Sequence, residues 1–185
     1  AEVVCWSPDG NYLAIGGKHG GQDNRVAVCE FDVAASPTIT LKDNAYDNFD
    51  RVYTLTWSPN GIYLAVGGLN SGTDDVYIYS FAGDLLTTVT CAPFGSEVYE
   101  LKWSPDGNYI VAVGWDGLRN KQCKIYGFDS VAETINLAAE EEVASTVMSV
   151  DWSSNGYYLA MGYYSLFVYY WDGSTLTQKY NESAP

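Results

Sequence analysis

A twelve-residue segment recurs four times in this chain of 185 residues. It reads WSPDGNYLAIGG at 6–17, WSPNGIYLAVGG at 57–68, WSPDGNYIVAVG at 103–114 and WSSNGYYLAMGY at 152–163. The leading tryptophans are 51, 46 and 49 residues apart. A period near 50 residues is typical of arrays in which each unit buries its apolar surface only by packing on its neighbours. The repeat therefore predicts a single array over residues 1–185, with units one to four in chain order.

Each unit contains four segments with strand patterns. Apolar and polar residues alternate before the tryptophan, as in Tyr53–Trp57, which predicts a strand with two different faces. The Ser-Pro-Asp-Gly segment predicts a tight turn, because Pro fixes φ and Gly accepts a positive φ. A strand of small residues and a strand ending in an aromatic residue follow. A more polar outer strand is then predicted at Thr38–Leu41, Leu85–Thr90, Thr134–Leu137 and Leu176–Lys179.

Four-stranded antiparallel units at this period are the blades of a β-propeller, so the predicted fold class is all-β. The third unit places Ala112 one residue later than the alanine of the other units, which a bulge or a simple substitution would explain. Tyrosines at equivalent strand positions are expected to pack one blade on the next, at Tyr12, Tyr63, Tyr109 and Tyr158. The blades are expected at about residues 1–42, 52–90, 98–137 and 147–180.

These residues resemble the WD-repeat propeller family over essentially the whole chain. The resemblance is carried by the WSPDG-type turn, by the Tyr-Leu-Ala-x-Gly strand after it and by the closing pair Trp171-Asp172. No unit has the Gly-His pair typical of the family, so the family's buried polar network is not carried over onto residues of this chain. The loops between the second and third strands of units one to three are long, which is similar to the propellers of Tol-type periplasmic proteins and of some peptidases. That is the alternative family.

Four blades in an open arc would expose an apolar blade face at each end. The resemblance implies closed rings of seven or eight blades, so three arrangements are open: a fragment of a longer propeller, two chains forming one ring, or a four-bladed ring. We expect self-association, in which two chains meet head to tail and this chain forms half of an eight-bladed ring. Lys102 and Asp151, at equivalent positions in adjacent units, are expected to form an ion pair near the central channel.

The formal net charge is −14 at pH 7. This charge argues against nucleic acid and anionic membrane surfaces as partners and favours a basic protein or peptide. No apolar run approaches the roughly 18–20 residues of a membrane span. The four cysteines have no CxxC pairing, so we expect no zinc site and reduced thiols, and the cytoplasm is the favoured compartment. They are Cys5, Cys29, Cys91 and Cys123.

Candidate catalytic groups are sparse. The lone histidine, His19, lies in a glycine-rich loop and lacks the orienting third group of a nucleophilic triad. The segment Asp43–Asp50 offers oxygen ligands suited to calcium, but its spacing is not that of a known calcium loop, so we interpret it as a solvated linker. We therefore expect no catalytic residue, no bound metal and no cofactor.

The linkers between blades and the loops between second and third strands are expected on one face of the disc, the usual binding face of the family. The predicted function is a non-catalytic protein-interaction scaffold. Alternatives are an accessory propeller excised from a larger enzyme or envelope complex, and a glycan- or small-molecule-binding propeller. The predicted linkers are Asp43–Arg51, Ala92–Glu97 and Ala138–Ser145. The predicted partner-binding residues on this acidic rim are Asp23, Asp43, Asp47, Phe49, Asp50, Asp74, Asp75, Phe94, Glu97, Trp115, Glu140, Glu141 and Glu142.

Overall fold

The computed structural model of the chain describes residues 1–17, 26–34, 36–45, 49–117, 123–143, 147–162 and 164–183. Within these residues there are sixteen strands and no helix, so the predicted all-β class is confirmed. The strands of unit one are β1 (Val3–Trp6), β2 (Tyr12–Gly16), β3 (Val26–Asp32) and β4 (Thr38–Ala45). Those of unit two are β5 (Phe49–Trp57), β6 (Tyr63–Asn70), β7 (Val76–Ala82) and β8 (Leu85–Ala92). Those of unit three are β9 (Glu97–Trp103), β10 (Tyr109–Trp115), β11 (Cys123–Asp129) and β12 (Thr134–Glu141). Those of unit four are β13 (Ser149–Trp152), β14 (Tyr158–Gly162), β15 (Ser165–Trp171) and β16 (Leu176–Ser183).

Each unit folds as an antiparallel meander in which consecutive strands pair, and this gives four propeller blades. The first strands of neighbouring blades contact one another, as β5 and β9 do, and so do the outer strands. A single bridge between Leu69 and Glu97 joins the sheets of blades two and three. The four-stranded blades predicted from the repeat are therefore present, arranged side by side around a common axis.

The outer strands are longer than the sequence pattern predicts. Strand β4 continues to Ala45, β8 to Ala92 and β12 to Glu141. A register shift in each outer pairing, such as that between Val28 and Cys29, lets the outer strand follow the third strand beyond its predicted end. The expectation that the linkers begin at Asp43, Ala92 and Ala138 is therefore wrong, because these residues belong to strands.

A serine hydroxyl closes each tight turn between the first and second strands. In blade one, Ser7 Oγ donates to Asp9 Oδ1 at 2.5 Å and accepts from Tyr12 N at 2.9 Å. The same two bonds recur in the other three blades, where an asparagine replaces the aspartate in blades two and four. The turn glycine has the predicted positive φ, 75° at Gly10. Serine and aspartate side chains thus contribute to a turn that the sequence pattern assigns to Pro and Gly.

The apolar cores lie between neighbouring blades. Trp57 of blade two packs on blade one, Trp103 of blade three packs on blade two, and Trp152 of blade four packs on blade three. The tyrosines at the start of the second strands meet the closing aromatic residue of the next blade edge-on, at centroid distances of 4.9, 4.8 and 5.3 Å. Blade-on-blade packing is therefore confirmed for Tyr12, Tyr63 and Tyr109, whereas Tyr158 lies in blade four, the last blade of the described residues.

Two smaller expectations are settled by pairing and distance. Tyr109 pairs with Gly127 just as Tyr63 pairs with Ser80, so the shifted alanine of unit three reflects a substitution and not a bulge at that point. The predicted ion pair between Lys102 and Asp151 is wrong. Lys102 Nζ instead lies 3.4 Å from Glu100 Oε1, because residues two apart on one strand project from the same face.

Candidate functional site

The linkers between blades and the loops between second and third strands lie at the same end of the antiparallel meanders. We call this surface the rim and define it by the described residues 71–75, 93–97, 115–117 and 140–143. The opposite face carries the Ser-Pro-Asp-Gly turns and the turns before the outer strands.

The structure divides the predicted rim residues into four groups. The side chains are exposed at Asp50, Trp115, Glu140 and Glu142. They are half-buried at Asp43, Asp74, Glu97 and Glu141. They are buried at Phe49, Asp75 and Phe94. The remaining two, Asp23 and Asp47, lie outside the described residues, as does the loop histidine His19.

The expectation that Phe94 and Asp75 face a partner is wrong, because both hold the linker between blades two and three. Asp75 Oδ2 accepts hydrogen bonds from Phe94 N at 3.0 Å and from Gly95 N at 2.8 Å. Lys124 Nζ donates to Phe94 O at 2.6 Å and lies 5.4 Å from the centroid of the Phe94 ring. Tyr126 Oη donates to Pro93 O at 2.7 Å. Residues 93–95 are thus held in place from both neighbouring blades.

Two other predicted rim residues serve contacts inside the molecule. Phe49 is buried and packs edge-on against Tyr77, with ring centroids 5.1 Å apart. Asp43 Oδ2 accepts a hydrogen bond of 2.8 Å from Leu86 N on the outer strand of the next blade. Phe49 cannot anchor a partner without leaving its core, and Asp43 joins the outer edges of blades one and two.

A cluster of aromatic and charged side chains lies where the first strands of blades two and three meet the rim. Tyr53 and Tyr99 meet edge-on at 6.1 Å, and the Arg51 guanidinium lies 5.2 Å from the centroid of the Tyr53 ring. Glu97 pairs across the sheet with Trp115, whose side chain is 39% exposed. We call Arg51, Tyr53, Glu97, Tyr99 and Trp115 the inner-rim cluster.

Electrostatics support an acidic character for the inner-rim cluster. Burial, followed by the nearby Glu97 carboxylate, raises the pKa of both Tyr53 and Tyr99, so their hydroxyls stay protonated at neutral pH. Arg51 Nε donates to Glu2 Oε2 at 2.5 Å, so the positive charge of Arg51 is paired with a carboxylate of the same chain. Glu97 therefore faces the rim beside protonated phenols and an exposed indole.

The sequence motif points to Glu97 and Trp115 but not to the tyrosines. Tyr53 and Tyr99 hold equivalent positions in the first strands, where unit four has Met148 and unit one has Glu2. The sequence could have pointed to these two tyrosines, because an aromatic residue occupies this position in two adjacent units. Lys124 is a lone cation within an apolar strand, and this unusual position could have predicted that its side chain makes an internal contact, as it does with Phe94.

The glutamates at 140–142 lie apart from the inner-rim cluster. Glu140 and Glu141 end the outer strand β12, three strands away from β9, where Glu97 lies. At the usual spacing between strands this is about 14 Å. Burial, followed by the neighbouring Glu142, raises the pKa of the Glu141 carboxyl. The acidic residues of the predicted rim therefore form two separate regions. Glu97 lies in the inner-rim cluster, and Glu140–Glu142 lie at the outer edge of blade three.

The buried thiols are poor candidates for nucleophilic chemistry. No disulfide joins any of the four cysteines, and burial raises the pKa of Cys123 to about 12 and that of Cys5 to about 11. A thiol attacks only as the thiolate, which is scarce at neutral pH for such groups. Among the residues that the structure describes, no group of three His, Cys, Asp or Glu side chains is placed to hold a metal ion.

A cleft of about 540 Å³ lies on the face opposite the rim, between the tight turns of blades three and four. Its lining includes Asp106, Tyr109, Asn155, Trp171 and Asp172. Three of its polar side chains already accept hydrogen bonds from their own turns, at Asp106, Asn155 and Asp172. The cleft thus offers few free polar groups for specific recognition of a small ligand.

A family model described as "WD domain, G-beta repeat" matches residues 36–80, 83–118 and 141–172, together more than half of the chain. The first match begins just before β4 and ends within β7, so the sequence repeat is offset by one strand from the blade. No curated protein matches the sequence. Across the described part of the chain there is no helix of the length and apolarity that crossing a membrane requires.

Several solved structures have the same fold. A candidate 6-phosphogluconolactonase from Bacteroides fragilis is similar over 99% of this chain and 55% of its own, with a TM-score of 0.80 and 16% identity. Sqt1 from Chaetomium thermophilum, bound to the N-terminus of the ribosomal protein L10, is similar over 92% of this chain and 45% of its own, with a TM-score of 0.70 and 19% identity. A chain of the mitotic checkpoint complex is similar over 86% of this chain and 46% of its own, with a TM-score of 0.67 and 22% identity.

This chain spans about half the length of these structures. At such identities the similarity shows the fold alone. The family match, the four recurrent turns and the four antiparallel blades together show that the chain belongs to the WD40-repeat family of β-propellers.

Proposed function

We propose that this chain is a non-catalytic interaction scaffold whose rim binds a basic protein segment carrying an aromatic or aliphatic anchor residue. The observation that carries the proposal is the inner-rim cluster. Trp115 is a large exposed aromatic side chain on the rim, and it lies next to Glu97. Tryptophan is enriched among the residues that dominate binding energy at protein interfaces.

The support beneath this cluster is rigid. The linker 93–95, which leads into β9 and Glu97, is held by Asp75, Lys124 and Tyr126. A preorganised surface binds with a smaller entropic cost than a mobile loop does. The blade-two and blade-three side of the rim is therefore the best-supported place for a partner to dock.

Charge favours a basic partner. The net charge is −14, and the rim carries Glu97 near the axis and Glu140–Glu142 at the outer edge of blade three. Complementary charge raises association rates and disfavours acidic competitors, and the effect weakens with salt. At the level of the fold, Sqt1 is a WD-repeat neighbour whose structure holds a protein segment, the L10 N-terminus.

We propose that the chain has no catalytic activity of its own. Two cysteine thiols are held protonated by burial, and carboxylates such as Asp9 and Asp106 are occupied by hydrogen bonds within their own turns. Because one structural neighbour is a candidate 6-phosphogluconolactonase, hydrolysis of that lactone is the activity to assay. A rate above spontaneous hydrolysis would contradict this part of the proposal.

The binding proposal is tested by fluorescence anisotropy with a labelled peptide in which lysines flank a single phenylalanine. We expect the lysine peptide to bind and the same peptide with glutamates in place of lysines not to bind. Trp115→Ala should weaken binding by about tenfold or more, which corresponds to about 1.4 kcal/mol.

Tyr157→Ala is the matched control, because Tyr157 is also exposed and aromatic but lies on the opposite face beside the cleft. It should bind the lysine peptide as the unaltered protein does. Equal loss of binding in both variants, or unchanged binding by Trp115→Ala, would show that the inner-rim cluster is not the docking site.

The proposal includes self-association, in which two chains complete an eight-bladed ring. Self-association is separate from rim binding, since the inner-rim cluster lies wholly within blades two and three.

A further inference from the structure

The outward face of blade one exposes residues whose equivalents are buried in every other blade. Trp6 is 51% exposed, whereas the corresponding tryptophans of blades two to four are 6–7% exposed. Val4 is 55% exposed, whereas its equivalents Leu55, Leu101 and Val150 are at most 4% exposed. Blade one therefore presents a blade-binding surface with no blade on it.

The outward face of blade four is the complementary half of such a surface. Leu166 is 45% exposed, whereas its equivalents Val26, Val76 and Cys123 are buried against the next blade. Tyr158, the equivalent of Tyr12, Tyr63 and Tyr109, is also exposed. Blade four thus ends in the surface that blades one to three use to receive a following blade.

Two of the three internal seams, those of blades two and three and of blades three and four, show the polar contacts that a further seam can make. The indole Nε1 of Trp103 donates to Thr56 O, and that of Trp152 donates to Lys102 O, both at 3.2 Å, whereas Trp57 Nε1 at the seam of blades one and two has no hydrogen-bond partner. At the same two seams, the backbone N–H two residues before the tryptophan donates to a side chain of the preceding blade. These bonds are Leu101 N to Thr54 Oγ1 at 3.1 Å and Val150 N to Glu100 Oε2 at 2.7 Å.

We propose that a second copy of this chain covers both faces, with blade four of each copy packed on blade one of the other. This inference rests on the proposed self-association and specifies its contacts. By equivalence with these two seams, Trp6 Nε1 donates to Asp151 O of the second copy, and Val4 N donates to Ser149 Oγ of the second copy. Tyr158 meets Phe31 of the second copy edge-on, as Tyr12 meets Phe81 at 4.9 Å.

Two further observations favour a second copy as the occupant. The exposed faces are apolar at Val4, Trp6 and Leu166, so burying them is favourable despite the net charge of −14. The arc also superposes with TM-scores of 0.79 and 0.80 on propeller chains of which it covers 54% and 55%. The chain therefore corresponds to about half of each of those structures, and a second copy related by a two-fold axis supplies four more blades.

The test is the solution mass by light scattering after size exclusion, with two seam variants and one control. We expect the unaltered chain to have about twice the mass of 20.3 kDa. Val4→Glu and Leu166→Glu should each reduce the mass to that of one chain. Both positions are exposed in the single chain, so the circular dichroism spectrum should stay unchanged.

Leu137→Glu is the matched control, because Leu137 is 52% exposed on an outer strand even though blades precede and follow it. It should remain dimeric. An equimolar mixture of Val4→Glu and Leu166→Glu should regain dimer, because one of the two seams then contains only unaltered faces. Two identical faces meeting each other would not give this recovery.

A monomeric unaltered chain, an open polymer, or a dimer that Val4→Glu leaves intact would overturn the inference. The lysine-peptide assay on the same samples separates this failure from that of rim binding. A monomer that still binds the peptide through Trp115 removes the ring and leaves the scaffold proposal standing. A dimer that does not bind the peptide removes the rim-binding proposal and leaves the ring standing.

Discussion

At the scale of single residues, Asp75 is a predicted surface charge that stabilises the interior. Its carboxylate accepts two backbone N–H bonds from the linker that leads into blade three. Burial raises the pKa of Asp75 above its ordinary value of 3.8, and the two N–H donors only partly offset this. The folded state therefore holds a proton on Asp75 more readily than the unfolded state does. This contribution to stability falls as the pH rises from 3.8 through the raised pKa.

We expect Asp75→Ala to lower the free energy of unfolding by about 1–3 kcal/mol, because it leaves two linker N–H groups without an acceptor. Asp75→Asn should cost less, since the amide oxygen still accepts and no charge is buried. It should also remove the change in stability with pH that Asp75 causes. Urea denaturation followed by tryptophan fluorescence measures both effects. Equal costs for the two variants would show that the side chain acts by packing alone.

At the scale of elements, the backbone of strand β9 approaches strand β10 closely at Gly114. A Cβ atom there would lie 2.0 Å from Glu97 O, next to the register shift between Val113 and Gly114. In blade two, a Cβ atom at Gly68 would likewise lie 2.0 Å from Arg51 O. The second strands of blades two and three thus need a residue without a side chain where the first strand bulges, and in blade three this close approach places Glu97 beside Trp115.

Gly114→Ala should therefore destabilise the fold by about 1–3 kcal/mol, because backbone must move to admit a methyl group. It should also weaken binding of the lysine peptide, since Glu97 shifts with its strand. Gly162→Ala is the control on the second strand of blade four, where the nearest atom to the added Cβ is Ser165 O at 3.5 Å. Thermal melts and anisotropy give the two readouts. A larger cost at Gly162 than at Gly114 would contradict the close-approach argument.

At the scale of the whole molecule, stability depends on three apolar cores between blades acting against a net charge of −14. Like charges distributed over a compact molecule repel one another, and salt screens this repulsion. The screening length falls from about 30 Å at 0.01 M to about 8 Å at 0.15 M ionic strength.

We expect the melting temperature to rise when sodium chloride is increased over that range. Replacing Glu140, Glu141 and Glu142 together by glutamine removes three of the negative charges at the outer edge of blade three. This variant should melt higher at low salt and respond less to added salt. Scanning calorimetry at both salt concentrations tests this, and a melting temperature that falls with salt would show that ion pairs outweigh the net repulsion.

The sequence by itself determined the elements of this protein. Periodicity, strand alternation and the Ser-Pro-Asp-Gly turns predicted four antiparallel blades, because these signals depend on residues close together in the chain. Part of the rim was predictable for the same reason, since Glu97 and Trp115 adjoin loops between recognisable strands.

Only the tertiary structure decided which residues near those loops are buried. Phe49, Asp75 and Phe94 lie within polar or turn-like segments, yet each is buried by a neighbouring blade tens of residues away in the chain. The meeting of Tyr53 with Tyr99, and the exposure of Trp6 where its equivalents are buried, likewise depend on which blade lies next to which. Local pattern specifies a blade, but burial is a property of the contact between blades, and no single repeat encodes it.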